Sequence, residues 1–266
     1  MKINNYSFTE FFDELELRLF NCGAAKVDTT WLGEAIRSAV SRLYYVKRGS
    51  FYLIIDGQRQ EFTKGNWYLV PANSSYEFGC EEETEHLFFH FNLFGADRTD
   101  IFSSCQKLLS ISDYSDKARE ISSLLESDTV IDALRLKNAV LDIILKIAKE
   151  YRITVKTKKY SPCVVKAIDY IDNNLSEALT ISAIAKAIFV SPSTLTKHMR
   201  NELSVSVNGY VDQLILTRAA QMIVESSLSL TTISNHFGFC DQFYFSRKFK
   251  AKFGVSPSEY RRLWNV

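Results

Sequence analysis

The stretch Gly238–Phe249, which reads GFCDQFYFSRKF, decides how the C-terminal part of the chain is interpreted, because it combines four phenylalanines and a tyrosine with two cations. Placed on a helix at about 100° per residue, Phe245, Phe249 and Phe253 form one stripe that is typical of a core. The opposite face and its flanks carry Phe243, Tyr244, Ser246, Arg247 and Lys250. That face is either merely solvated or a surface that contacts a ligand.

The same pattern occurs a second time, about 50 residues earlier. Ile184–Ser191 corresponds to Ile233–Cys240, and Val205–Tyr210 corresponds to Val255–Tyr260. Each copy predicts a short helix, a tight turn and a second helix, which is the layout of a helix-turn-helix. Between the copies, Val207–Ser226 predicts one long connector helix, which is useful when two modules have to keep a fixed spacing.

Capping residues indicate where these helices begin. Serine, threonine and aspartate accept hydrogen bonds from the free backbone N–H groups of a first helical turn, and proline fits the first helical position. Pro192 follows a serine in this way, and Gly238 is expected to form the turn of the second copy. The expected caps are Thr180 and Ser191 in the first copy, and Thr231 or Thr232 and then Asp241 in the second.

The second helix of the first copy presents an equivalent outward face. Leu195 and Met199 point inward, and the outward residues and their flanks are Ser193, Thr194, Thr196, Lys197 and Arg200. An arginine on such a face can bind guanine through two hydrogen bonds, a threonine methyl or a phenylalanine can pack on a thymine methyl, and long cations suit phosphates. One solvated face would mean little, but its repetition favours double-stranded DNA as a partner.

The first third of the chain is predicted to be β-structure. Short β-branched or aromatic runs at residues 42–46, 51–55, 60–62, 67–70 and 86–93 alternate with turn residues, which predicts an antiparallel sandwich or barrel. From residue 116 to 151 the apolar period is helical, with two stripes that include Val130 and Leu134 in one and Val140 and Ile143 in the other. Such a helix is expected to be covered on two sides, either within its own domain or partly by a second subunit.

These patterns predict an α+β multidomain chain. The expected parts are an effector-binding β-domain at 1–110, a helical dimerisation segment at 111–151, a linker at 152–160 and a DNA-binding domain at 161–266. The last part carries eleven Lys/Arg and eight Asp/Glu, net +3, against −2 for the first 160 residues, which favours a nucleic acid partner for the C-terminal part.

Cysteine usage and the absence of long apolar runs bear on the compartment. Five scattered cysteines without C-x-x-C spacing argue against a disulfide framework or a zinc knuckle and favour a reducing environment. The first residues lack the apolar segment of a secretory leader, and no run approaches the length of a membrane helix. The sequence therefore predicts a cytoplasmic protein without a membrane partner.

The quoted stretch and its repeat resemble the AraC/XylS family of transcriptional regulators. Ile233–Arg262, ISNHFGFCDQFYFSRKFKAKFGVSPSEYRR, is similar to the family signature, and Thr180–Ile223 is similar to the first half of the same unit. The resemblance implies two helix-turn-helices that enter successive major grooves, an activator as the kind of regulator, and RNA polymerase as a further candidate partner. By matching positions it implies base contacts from Gln242, Phe243, Tyr244 and Arg247 in the second module, and from Ser193, Thr196 and Lys197 in the first.

The first module departs from the family pattern. Ser204 stands where the glycine after the recognition helix is usual, Ile188–Phe189 replaces the turn glycine, and Ile215 stands where an arginine is common. Ser193 is small where many relatives have a larger base-reading residue. We therefore expect the second module to contribute more of the sequence discrimination.

Residues Tyr44–Phe78 resemble the cupin-type effector domain of the same family, which implies a barrel. Metal-binding cupins have a histidine at the position of Tyr76, and the ligands of their first motif are missing from this chain. His86 and His90 share one strand face, but no third ligand is placed, so no metal and no cofactor are expected.

The β-domain supplies the candidates for effector binding. Aromatic faces beside an arginine suit a sugar or a small carboxylate, although any single one of these residues can equally be core. The candidates are Trp31, which by analogy with sugar-sensing relatives lies on an arm over the barrel, and Arg42, Tyr44, Trp67, Tyr76, His86 and His90. The alternatives are a regulator whose barrel only dimerises, and a cupin enzyme, against which the missing metal ligands and nucleophile–base pair argue. We expect no enzyme activity.

Overall fold

The computed structural model of the chain describes residues 15–105, 107–153 and 160–264. The chain divides into two compact units, Met1–Val155 (unit 1) and Lys156–Val266 (unit 2). The predicted linker 152–160 lies mostly outside the described residues, since 154–159 are not among them. Within the described ranges, no helix has both the length and the apolar composition that crossing a membrane requires.

Unit 1 begins with strands and continues with two helices. The strands are β1 Glu16–Val27, β2 Leu32–Arg37, β3 Ser41–Arg48, β4 Ser50–Ile55, β5 Gln58–Thr63, β6 Trp67–Val70, β7 Ser75–Gly79, β8 Thr84–Phe94 and β9 Leu109–Ile111. The helices are α1 Ser115–Leu125 and α2 Val130–Glu150. The five predicted runs correspond to β3, β4, β5, β6 and β8, whereas β1, β2, β7 and β9 were not predicted.

The strands form two antiparallel sheets. One has five strands in the order β1-β8-β3-β6-β9, and the other has four in the order β2-β7-β4-β5. Each pair of hydrogen-bonded neighbours is antiparallel. The antiparallel β-domain is therefore confirmed, and its closure into a barrel stays a prediction.

The five-stranded sheet is covered on both faces, because successive side chains point to opposite sides. On one face, residues such as Leu43, Trp67 and Phe89 share a single hydrophobic core with α1 and α2. On the other face, rings of this sheet contact rings of the four-stranded sheet: Tyr44 lies 5.4 Å from Phe51, centroid to centroid. The sheet thus separates a helix-facing core from an inner layer between the two sheets.

The helical prediction for 116–151 is confirmed, and the segment consists of two helices, α1 and α2. Residues 126–129 separate the two helices. Thr129 is the N-cap of α2, and its hydroxyl accepts a hydrogen bond of 3.1 Å from Asp132 N. One side of α2 is buried in the helix-facing core through Leu136, Val140, Ile143 and Ile147. The predicted stripe that begins with Val130 and Leu134 is exposed at these two residues, with 55% of the Leu134 surface accessible, but its later members Ile144 and Ala148 are buried.

Unit 2 is helical throughout its described part. Its helices are α3 Pro162–Asn173, α4 Ile181–Ala187, α5 Pro192–Leu203, α6 Val207–Glu225, α7 Leu230–His236, α8 Gln242–Phe253 and α9 Pro257–Trp264. The two predicted helix pairs are α4–α5 and α7–α8, and the predicted connector is α6, which ends one residue earlier than expected.

The predicted caps hold with one exception. Thr180, Ser191 and Asp241 each accept a hydrogen bond from a backbone N–H of the helix that follows. The cap of α7 is Ser229, and not Thr231 or Thr232, because α7 begins at Leu230 and the Ser229 hydroxyl accepts from Thr232 N at 3.0 Å. The two threonines lie inside the first turn.

Candidate nucleic-acid interface

A buried aromatic stripe sets the orientation of α8 in unit 2. Phe245, Phe249 and Phe253 are buried, with ring centroids 5.7 Å apart for the first two and 4.5 Å apart for the last two. Tyr260 of α9 packs edge-on to Phe249 at 5.3 Å. Since these rings hold one side of α8 against the unit, the other side faces outward.

The outward side of α8 contains all six residues predicted to contact DNA there. Phe243, Arg247 and Lys250 are exposed, and Gln242, Tyr244 and Ser246 are half-buried. Phe243 has 78% of its surface accessible, although burial of such a ring from water is favourable. A large ring in this position suits contact with a partner such as a thymine methyl group.

Three of these side chains are oriented by their neighbours. Thr231 Oγ1 lies 2.6 Å from Gln242 Oε1 and donates to it, which leaves the amide N–H groups of Gln242 as donors. The Arg247 guanidinium carbon lies 5.8 Å from the centre of the Tyr244 ring, within cation–π range. The backbone N–H of Tyr244 donates to Asp241 at 2.7 Å, and this bond lowers the pKa of the Asp241 carboxyl.

The first pair presents a different chemistry on α5. Leu195 and Met199 are buried, and Lys197 and Arg200 are exposed cations. Hydroxyl groups at the start of the helix bond to one another or to the backbone. The Ser191 hydroxyl shares hydrogen bonds of 2.8 Å with Ser193 and Thr194, and Thr196 donates to the Pro192 carbonyl at 2.8 Å. The long donors of α5 are therefore its two cations, as expected for a helix that contacts phosphates.

The departures from the glycine pattern have a conformational counterpart. Phe189 (φ +60°) and Ser204 (φ +59°) adopt the left-handed conformation that Gly238 (φ +73°) and Gly254 (φ +84°) adopt in the second copy. A residue with a Cβ atom is strained in this conformation; in a left-handed helix the cost is about 1–2 kcal/mol per residue. Phe189 is also 93% exposed. The first copy thus keeps the turn geometry of the second at a cost in backbone strain.

The structure brings most of the predicted effector residues together in the inner layer of unit 1. Arg42 Nη1 lies 3.4 Å from Tyr44 Oη, and the Arg42 guanidinium carbon lies 5.0 Å from the centre of the Tyr76 ring. His90 pairs with Arg42 across β3 and β8. The ring of Trp31 lies 5.6 Å from His86.

Trp67 lies apart from the other effector candidates. It is buried in the helix-facing core, its ring 4.9 Å from Tyr45, and its indole N–H donates to the Tyr114 carbonyl at 3.3 Å. On β6 the residue that faces the inner layer is Tyr68, whose ring lies 4.2 Å from Phe62.

The two histidines of the inner layer are neutral at physiological pH. Burial lowers the pKa of His86 to about 4, and burial, then the charges of Arg42 and His86, hold the pKa of His90 well below its usual value. In the described part of the chain, His86 Nδ1 has no hydrogen-bond partner. Neutral imidazoles can exchange hydrogen bonds with hydroxyl groups. Across the same residues, no group of three or more His, Cys, Asp or Glu is arranged to hold a metal ion.

One ion-paired cluster was not predicted. Lys248 of α8 bonds to Glu177, which precedes α4, and to Asp212 of α6. Glu177 lies 71 residues from Lys248 in the chain, in a loop without periodicity, so no spacing in the sequence pointed to this pair.

Comparison with known proteins places unit 2 in a recognised class. A family model described as a helix-turn-helix domain matches residues 184–263. A lactose operon transcription activator of Staphylococcus xylosus is 24% identical over 88% of this chain and 82% of its own length. The Msm operon regulatory protein of Streptococcus mutans is 22% identical over 96% of each chain. The arabinose operon regulatory protein of Escherichia coli is 33% identical over 37% of this chain and 34% of its own length.

Solved structures extend the similarity of fold to both units. ToxT of Vibrio cholerae aligns with a TM-score of 0.57 and 14% identity over 94% of this chain and 98% of its own. A structure of the same protein bound to an unsaturated fatty acid aligns with a TM-score of 0.55 over 99% of this chain and 98% of that chain.

The strained turn after α5 gives a stability prediction. Ser204→Gly should raise the free energy of unfolding by about 0.5–1 kcal/mol, because glycine adopts the left-handed conformation without strain. The reciprocal Gly254→Ser should lower it by a similar amount, since a Cβ atom at Gly254 would meet open space and only the backbone cost remains. Urea unfolding followed by helical circular dichroism measures both. Destabilisation by Ser204→Gly would contradict the assignment of strain to this position.

Proposed function

We propose that the chain is a DNA-binding transcriptional regulator of the AraC/XylS family and that it reads DNA with α5 and α8 of two helix-turn-helices. The observation that carries this proposal is the repeat at a spacing of about 50 residues. In both copies the second helix has a capped N-terminus, buries an apolar stripe and presents cations on its outward face. Each helix would enter one of two successive major grooves. Such a protein acts in the cytoplasm, where it meets its DNA.

The two helices would divide the work between them. On α8, Gln242, Phe243 and Arg247 offer an oriented amide, an exposed ring and a planar guanidinium, which are groups that distinguish base edges. On α5, Lys197 and Arg200 offer long cations, and the hydroxyl groups beside them are bonded locally. We infer that α8 supplies most base discrimination and α5 more of the backbone attachment.

Arg247→Ala and Lys250→Ala should weaken DNA binding in different ways. Arg247→Ala should cost about 1–3 kcal/mol on the specific site and relax the preference at one base pair, because a bidentate contact is lost. Lys250→Ala should weaken binding similarly on all sequences and reduce the slope of log affinity against log salt by about 1. Fluorescence anisotropy on selected and scrambled duplexes at several salt concentrations measures both.

The same experiment can refute the assignment. If the unaltered protein bound selected and scrambled duplexes equally, sequence-specific reading would be lost as a function. If Arg247→Ala changed only the salt slope, Arg247 would be a phosphate contact and α8 would need another base-reading residue.

We further propose that unit 1 binds a small effector in its inner layer. The support is local: Arg42, Tyr44, Tyr76, His86 and His90 put a cation, phenol groups and neutral imidazoles beside several rings, and His86 Nδ1 lacks a partner in the described residues. Stacking rings with a few polar groups suit a sugar or a small carboxylate. The named relatives that regulate lactose and arabinose operons favour a sugar, and the fatty acid in ToxT makes a carboxylate the alternative.

A ligand of this layer should stabilise unit 1 in a thermal-shift screen of sugars and carboxylates. At 100 times its dissociation constant it should add about 2.7 kcal/mol to the free energy of unfolding. His86→Leu should abolish the shift. Tyr52→Phe should retain it, because Tyr52 packs under Arg59, an exposed residue of the four-stranded sheet. A shift that survives His86→Leu would place the ligand elsewhere, and no shift with any compound would favour an effector-independent regulator.

The exposed stripe of α2 is the proposed homodimer contact. Val130, Leu134, Leu141 and Leu145 lie within about 60° of one another on the helix; Val130, Leu134 and Leu145 are exposed, and Leu141 is partly buried against the helix-facing core. Exposed apolar side chains in one line favour association with a second copy. An activator has to engage RNA polymerase, which is the further partner we propose on the strength of the named activator relative.

Leu134→Asp should dissociate the dimer, because it buries a charge in an apolar contact. We expect the dimer dissociation constant to rise at least about tenfold. Sedimentation equilibrium measures it, with Arg119→Asp on α1 as a control that introduces the same carboxylate at another exposed site. Equal masses for all three proteins would remove α2 as the interface.

A further inference from the structure

A direct bridge joins α8 to the first helix pair without passing along the connector. Lys248 Nζ lies 3.0 and 3.2 Å from the two carboxylate oxygens of Glu177 and 2.6 Å from Asp212 Oδ1. Glu177 belongs to the loop that enters α4, and Asp212 lies on α6. The three N–H groups of one ammonium therefore face three oxygens from two other segments.

The backbone reinforces the bridge at the same place. The N–H of Glu177 donates to the carbonyl of Phe237 at 2.8 Å, so the loop before α4 is bonded to the turn between α7 and α8. Gly238 in that turn packs so closely on Ser176 that a Cβ atom would clash with the serine hydroxyl. Lys252 adds a second link from α8 to α6, donating to the Gln213 carbonyl at 2.9 Å and to Thr217 Oγ1 at 3.1 Å.

Both carboxylates stabilise the charge of Lys248. The Lys248 side chain is only 22% exposed. Burial alone lowers the pKa of Lys248, but the hydrogen bonds and charges of Asp212 and Glu177 outweigh it and raise the pKa above that of a free lysine. A largely buried charge is tolerated when all its partners are present and becomes costly when one is removed.

The bridge also touches the proposed reading face. Lys248 Nζ lies 5.3 Å from the centre of the Tyr244 ring. The Arg247 guanidinium also lies within cation–π range of this ring. Lys248 thus contacts the loop of the first pair and supports a residue of the second reading surface at the same time.

We propose that Lys248 is a positioning residue that fixes the distance between α5 and α8, so that the protein accepts only DNA whose two contacted segments lie at one spacing. This inference rests on the proposed function, in which both helices contact DNA. A long helix such as α6 can curve gently when nothing else holds its two ends. The bridge closes a ring of contacts from α8 to the loop before α4 and so removes that freedom.

The competing role for Lys248 is a phosphate contact, as for any cation near DNA. The two roles require different residues. A phosphate contact requires only the ammonium, whereas positioning requires Glu177 and Asp212 as well. Glu177→Gln combined with Asp212→Asn removes the bridge and leaves every cation in place.

The test uses the full chain in three forms: Lys248→Met, the Glu177→Gln/Asp212→Asn double variant, and Lys250→Met as a control that removes an exposed cation of the same helix. A pool of randomised duplexes first selects the DNA that the unaltered protein prefers. Affinity is then measured for that duplex and for versions with one base pair inserted or removed between the two contacted segments. Thermal unfolding reports whether each variant is folded. If a bridge variant is not, it is replaced by a triple variant that combines Lys248→Met, Glu177→Gln and Asp212→Asn and so removes all the charges of the bridge.

The unaltered protein should prefer the selected spacing, and both bridge variants should reduce that preference by roughly tenfold, about 1.4 kcal/mol, without changing the salt slope. Lys250→Met should lower the salt slope by about 1 and keep the preference. If the bridge variants kept the full spacing preference, the positioning role would be overturned while two-helix reading stood. If the unaltered protein selected one contacted segment only, the proposed reading by both helices would fail, and this inference with it.

Discussion

The burial of one line of rings, Phe245, Phe249 and Phe253, is the constraint on which the rest of unit 2 depends. Rotating α8 by a single residue, about 100°, would expose at least one ring at a cost of about 2–3 kcal/mol. The helix therefore has one stable setting. Because that setting is fixed from the inside, the orientation of the outward side chains does not depend on a partner, and a DNA duplex would meet a surface that already has its shape.

The repeat made unit 2 largely predictable from its sequence. The caps Thr180, Ser191 and Asp241 and the connector follow from local chemistry, in which a hydroxyl or carboxylate satisfies the first free N–H groups of a helix. Ser229 was missed because Ser229, Thr231 and Thr232 all carry a hydroxyl group that can cap a helix, and only the helix start decides among them. The bridge from Lys248 to Glu177 was beyond prediction, since a contact between a helix and a loop 71 residues away leaves no period in the sequence.

Unit 1 was less predictable, for two physical reasons. The strand β1, ELRLFNCGAAKV, mixes small and polar residues without alternation, because among the described strands it pairs with β8 alone and its burial is only partial. On β6, Trp67 and Tyr68 are adjacent aromatics on opposite faces of a sheet that is buried on both. Alternation shows that the two rings face opposite ways, but which of them faces the helices is decided by packing partners that lie far away in the chain.

The repeat is a resemblance between α5 and α8 and not an identity, and this has a consequence for geometry on DNA. One helix offers hydroxyl groups, Lys197 and Arg200, and the other offers an amide, a phenylalanine and Arg247. A surface built from two unlike halves has no internal twofold axis, so a sequence that fits it reads differently on the opposite strand. A single chain would therefore bind the duplex in one defined orientation, which the direction of its DNA site would determine.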